Sequence, residues 1–99
     1  MTMNSRFFSN LGLAMRAGKV ISGEDAVIES IRSGEAKLVI VAEDASESTL
    51  KKINDKCSHY QVPIHQYGSR EQLGGSIGKE TRVVIAVADG GFARLLLKP

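Results

Sequence analysis

Apolar residues along the chain alternate between helical spacing and short unbroken runs. Phe7, Leu11 and Ala14 recur at helical intervals with Phe8 and Met15 beside them, so positions 4–17 read as an amphipathic helix that Gly18 ends. A short strand follows. Val27 and Ile31 then stripe a second helix over 23–33, stopped by Gly34. Positions 37–42 read as a strand covered on both faces, because Lys37 opens an unbroken apolar run from Leu38 to Ala42. Leu50, Ile53 and Cys57 mark the inner stripe of a helix over 46–58. Positions 62–66 make a short strand whose Pro63 places it at a sheet edge or marks its start. A short helix over 69–77, a second apolar strand over 83–88 and a closing helix over 90–97 complete the order. Helices alternating with short strands imply an α/β/α sandwich. There is no repeat, linker or low-complexity tract.

Three helix starts carry capping patterns. Ser22 with Asp25, Asp44 with Glu47, and Ser69 with Gln72 each have the spacing of a capping box. The first stands beside Gly23. A helix that begins abruptly there leaves amide donors free in its first turn, and such an end can receive a phosphate or a base edge.

Ninety-nine residues suffice for one buried core and are too few for two, so a single domain and a single protomer are expected. With 42% apolar and 24% charged residues the chain has the composition of a folded globular protein. No segment approaches the length of a membrane span, and residues 1–6 lack the basic and apolar regions of a secretory signal. One cysteine permits no internal disulfide, which agrees with a reducing cytoplasm. A net charge of +2 permits a nucleic-acid partner. It argues against a long electrostatic groove, which needs a larger basic excess to neutralise many phosphates.

Enzymatic readings fare poorly. The glycines of segment 74–79, GGSIGK, are spaced one residue short for a phosphate loop, Glu80 stands where Ser or Thr should hold magnesium, and the segment leads into a strand. Cys57 and His59 project from nearly opposite sides of a helix, so packing explains Cys57 better than nucleophilic chemistry. His65 alternates with Ile64 on a strand. One Cys and two His offer no structural zinc spacing, and no cofactor is implied. Glu43 and Asp44 leave a buried strand where an α/β enzyme could place acids, but no second convergent group accompanies them. Glu24, Asp25 and Glu29 are explained as acids that offset the dipole of a helix start.

An ordered set of segments is more specific than any of these pieces. Ala17-Gly18-Lys19, Gly23, the run GEAKLVI over 34–40 and AEDA over 42–45 are followed by Val62-Pro63-Ile64, SREQLG over 69–74, Gly78-Lys79 and Arg82-Val83. This set resembles the kink-turn RNA-binding ribosomal-protein family, the L-seven-Ae and L-thirty-e superfamily with its small bacterial members of the YlxQ type. The resemblance spans nearly the whole chain. It implies an L-thirty-e-like three-layer α/β/α sandwich with a small mixed four-stranded sheet. It also implies a non-catalytic, ribosome-associated protein whose partner is structured RNA. In that family a helix start reads guanine edges in tandem sheared G·A pairs, and the turn before the last strand lies against an extruded base. Carried over, these loops are Gly23-Glu24-Asp25-Ala26 and Gly78-Lys79-Glu80-Thr81-Arg82-Val83, with Lys19 and Arg70 as further positive support. The chain departs from the family at Asp25 and Ala26, where relatives often carry Asn-Glu or Lys-Gln, at Glu29, where they carry lysine, and at Glu80 and Thr81, which replace more apolar residues. A protein-interaction module with a drifted RNA surface is the alternative function. An enzyme using Glu43 and Asp44 is a remote third.

Overall fold

The computed structural model describes residues 5–98. Asn4, the first residue of the expected N-terminal helix, and most of the stretch read for a secretory signal lie outside them. The described chain runs α1 (Ser5–Arg16), β1 (Val20–Ser22), α2 (Glu24–Ser33), β2 (Leu38–Val41), α3 (Glu47–Tyr60), β3 (Ile64–Gln66), α4 (Arg70–Ser76), β4 (Val84–Val87) and α5 (Gly90–Leu97). Each element expected from the apolar pattern is present, with ends differing by one or two residues.

The four strands form one mixed sheet in the order β1-β4-β2-β3. β4 is antiparallel to both β1 and β2, with Ile21 opposite Ala86 and Val39 opposite Ala86, whereas β2 and β3 are parallel. β1, β2 and β3 therefore share a direction. Their carboxyl ends meet the amino end of β4 at one end of the sheet.

The period of two in the central strands sorts the core into two layers. Leu38, Ile40, Ile85 and Val87 face one side, where Phe7 and Leu11 of α1, Leu73 of α4 and Leu96 of α5 cover them. Val39, Val41, Val84 and Ala86 face the other, against Val27 and Ile31 of α2 and Ile53 and Cys57 of α3. Every residue of β2 and β4 is buried, which is why these runs read as continuously apolar. β3 is an edge strand that Pro63 precedes, and the Pro63 carbonyl accepts a hydrogen bond from Val39 N–H.

Of the three capping boxes, one forms. Ser69 accepts from Gln72 N–H, and Ser69 N–H donates to the Gln72 side chain. The start of α2 has no side-chain cap: Gly23 is the N-cap residue, with φ 96° and ψ 142°. Gly23 N–H still donates to the Val84 carbonyl, so Ser22 belongs to the sheet and its hydroxyl accepts from Arg82 Nε at 3.3 Å. At α3 the cap is Ser46, which accepts from Thr49 N–H, because Asp44 is engaged with Arg70 instead.

Candidate functional site

Because β1 and β2 run in the same direction, the helices that follow them begin at the same end of the sheet. The starts of α2 and α3 both border a concavity of about 330 Å³, closed on its far side by the segment entering β4. Gly23 and Glu24 form one wall, Ser46 and Thr49 the second, and Arg70, Thr81, Arg82 and Val83 the third. Open α/β sheets commonly bind ligands in this crevice outside the carboxyl ends of the strands. The positive ends of two helix dipoles also favour negative charge here.

Gly23 supports this mouth through its backbone. Its φ of 96° is a conformation that side chains with a Cβ rarely adopt, and a Cβ there would point into open space. The amides of the first turn of α2 therefore border the concavity without a cap or a side chain in front of them. Glu24 is fixed by Lys52 of α3, whose Nζ lies 2.7 Å from Oε2. The hydrogen bond and charge of Glu24, with a smaller contribution from the charge of Asp25, push the Lys52 ammonium above its usual pKa. Asp25 and Ala26 are exposed on the same turn.

The two arginines are held in place by oxygen acceptors. Arg82 is half-buried and donates through Nε to Ser22 Oγ at 3.3 Å and through Nη1 to the Thr81 carbonyl at 2.6 Å. Arg70 donates through Nε to Asp44 Oδ2 at 3.3 Å, through Nη2 to the Asp44 carbonyl at 2.7 Å and through its backbone N–H to Asp44 Oδ1 at 3.1 Å. Asp44 thus orders a cation at the rim and accepts the first amide of α4 instead of capping α3.

The segment that failed as a phosphate loop has a packing role. An added Cβ on Gly74 would lie 2.6 Å from Thr81 Cα and 2.7 Å from both Glu80 O and Thr81 N. Glycine alone lets α4 rest against the backbone of the loop before β4. Lys79 N–H donates to the Gly74 carbonyl and Arg82 N–H to the Arg70 carbonyl, so this loop is tied to α4 at both ends.

Six of the site residues expected from the sequence line the concavity together: Gly23, Glu24, Arg70, Thr81, Arg82 and Val83. Asp25 and Ala26 adjoin it on α2, and Lys79 and Glu80 are exposed in the neighbouring loop. Lys19 is not among them. Its carbonyl accepts from Ala88 N–H, one step beyond the Val20–Val87 pair, so it stands at the opposite end of β1, about 13 Å of extended chain from Gly23. Ser46, Thr49, Asp44 and Lys52 were not expected at the site. The Ser46–Thr49 spacing is a weak local cap signal, while the Lys52–Glu24 and Arg70–Asp44 pairs join residues 28 and 26 positions apart.

The other candidate chemistries have structural placements. Burial pushes the Cys57 thiol up to about 11, so it stays protonated inside the layer between the sheet and α3. His59 packs edge-on against Tyr60, and His65 stacks on Tyr67 with ring centroids 5.4 Å apart. Among the described residues, no three His, Cys, Asp or Glu side chains are grouped to hold a metal ion, and no helix is long and apolar enough to cross a membrane.

The chain is similar to several known proteins over nearly its whole length. It is 58% identical over 91 residues to the RNA-binding protein YlxQ of Bacillus subtilis, covering 92% of this chain and 91% of that one. It is 36% identical over 90 residues to the large ribosomal subunit protein eL30 of Tetrahymena thermophila, covering 89% and 86%. A solved protein of unknown function from Bacillus halodurans C superimposes with a TM-score of 0.91 at 45% identity over 94% of both chains. Residues 5–96 match the family described as ribosomal protein L7Ae/L30e/S12e/Gadd45, and the chain belongs to that family.

Proposed function

We propose that this chain is a non-catalytic, single-domain RNA-binding protein of the cytoplasm that grips a kink-turn or a related bent RNA and works in association with the ribosome. The observation that carries this reading is the juxtaposition of the uncapped start of α2 with the loop entering β4, across one concavity flanked by two fixed arginines. The names of the relatives, an RNA-binding protein and a ribosomal protein, support the same class of partner.

The chemistry follows from the geometry. Gly23 lets an RNA backbone approach the free amides of α2, which donate to phosphate or base acceptors. The carboxylate of Asp25 accepts from guanine N–H groups, a role Ala26 cannot share through its side chain. Thr81 and Val83 offer a small, partly apolar wall for an unstacked base, and Arg70 and Arg82 stand where backbone phosphates converge. Bent, unpaired RNA exposes base edges that a regular A-form helix hides. The Lys52 bridge removes the repulsion that a free Glu24 would exert on phosphate.

A gel shift with a kink-turn RNA tests the proposal beside the same RNA lacking its tandem G·A pairs. Binding to the first and marked loss on the second is the expected result. Equal binding to both RNAs would remove the kink from the reading, and binding to neither at low salt would remove RNA.

A further inference from the structure

The side of α3 facing α2 carries Lys52, which fixes Glu24 at the rim of the concavity, and Lys56, which the concavity does not use. Lys52 and Lys56 are one turn apart, about 6 Å between Cβ atoms, and Lys52 is bonded to Glu24 at the rim of the site. Lys52, Lys56 and Tyr60 line a second shallow depression of about 410 Å³. Tyr60, 42% exposed, also borders a third of about 400 Å³ in which Arg32 and Lys37 stand at the far end of α2. The Glu24–Lys52 pair links the first depression to the second, and Tyr60 links the second to the third. Two depressions thus continue in series from the concavity along α3. Of the acids in the series, Glu24 is paired with Lys52 and Asp55 with Lys51 at 3.6 Å, which leaves Lys56 without an ion-pair partner among the described residues.

We infer that this series is a track for an unpaired RNA segment continuing out of the bent motif, with Lys56 against a phosphate and Tyr60 as a platform on which a base stacks. The inference rests on the RNA-binding reading above. Cations spaced along a shallow groove with an exposed aromatic ring between them are the features that hold single strands, because every base has a face to stack. A duplex arm would meet the same cations but would have no unpaired base for Tyr60.

The test measures fluorescence anisotropy on the full chain with three RNAs: a minimal kink-turn, the same RNA with a short unpaired uridine-rich extension at either strand end, and one with a duplex extension. One unpaired extension should tighten binding by roughly tenfold, the contribution of one stacked base. Tyr60→Ala should bind the minimal RNA as the parent does and lose that gain, and Lys56→Ala should reduce it. No gain from either unpaired extension overturns the track. An equal gain from the duplex extension that survives Tyr60→Ala also overturns it and assigns the cations to a duplex arm. Failure of the parent to bind the minimal RNA overturns the site reading and this inference with it, whereas intact minimal binding without a gain overturns this inference alone.

Discussion

Gly74 and Gly75 are adjacent in α4, yet alanine at the two positions should act in opposite directions. At Gly74 a new Cβ would lie 2.6 Å from Thr81 Cα, with two more backbone atoms at 2.7 Å. Ordinary carbon–carbon contacts fall near 3.5–4.0 Å, so α4 and the loop must separate by about 1 Å. All three obstructing atoms are backbone, so no side chain can rotate out of the way. Overpacking against rigid backbone falls in the upper part of the usual range, about 2–3 kcal/mol, and the better helix propensity of alanine returns roughly 0.5–1 kcal/mol, leaving a net loss of about 1–2.5 kcal/mol. For a domain of this size each kcal/mol moves the midpoint by roughly 4–8 °C, so Gly74→Ala should lower Tm by about 4–20 °C. At Gly75 an added Cβ meets nothing within 4 Å. Gly75→Ala should therefore raise Tm by a few degrees, toward the low end of the roughly 0.5–1 kcal/mol propensity gain because the residue lies in the last turn.

The same displacement reaches the proposed site. Thr81 shifts from its place opposite Gly23 in Gly74→Ala, so the folded variant should bind kinked RNA more weakly, while Gly75→Ala should bind as the parent does. Thermal unfolding followed by circular dichroism, together with a gel shift below both midpoints, measures the two effects. If Gly74→Ala matched Gly75→Ala in Tm and in affinity, the close approach of α4 to the loop would not be what positions Thr81.

Arg82→Ala should weaken RNA binding and reduce the slope of log K against log salt by about one, whereas Lys19→Ala, at the other end of β1, should change neither in the same titration. Lys52→Ala should weaken binding by exposing the Glu24 carboxylate to phosphate. Adding Glu24→Gln should restore much of the loss, and a double-mutant cycle with no coupling would contradict this role for the pair. Ala26→Gln with Glu29→Lys should tighten kink-turn binding by about tenfold, by analogy with a base contact of about 1–3 kcal/mol, and the gain should vanish on RNA lacking the G·A pairs. Cys57 should react with a disulfide reagent at pH 8 only as fast as the protein opens. Its thiol is raised from 9.0 to about 11 in the fold, so the neutral form is favoured there and its contribution to stability should decline as pH rises between those values, a decline Cys57→Ala removes.

The elements were legible because each is written in a local period. Positions 38–42 and 84–87 are buried on both faces, and Phe7, Leu11 and Ala14 share one side of a helix, so spacing alone carries the information. The helix starts were less legible. Ser69 and Gln72 cap as the pattern says, but Ser22 and Asp44 fit the same pattern and do not cap, because arginines 60 and 26 positions away claim their oxygens. A local rule holds where no tertiary partner competes. Gly74 shows the converse: its sequence context pointed to a failed phosphate loop, whereas its role depends on a contact across the fold that no spacing encodes. Lys19 was drawn toward the site by its place in an ordered set of segments, and strand register moves it away.

The charge at the site shows why the acids of α2 do not exclude RNA. Read along the chain, Glu24, Asp25 and Glu29 make the first turns of this helix hostile to phosphate. In the fold, Glu24 is neutralised by Lys52, Asp44 takes up the charge of Arg70, and Glu29 faces Arg32 at 3.9 Å on an exposed surface where such a pair is weak. Asp25, Glu80, Lys79 and Arg82 remain, two acids and two bases. If the proposed site takes phosphate, a mouth so nearly neutral would release few counterions, and electrostatics would supply little of the affinity. What it offers instead is fixed geometry: free amides, an accepting carboxylate, a small wall and two arginines held by oxygen acceptors. On the proposed reading such a surface would discriminate by hydrogen bonding and shape, in keeping with a chain whose net charge is +2.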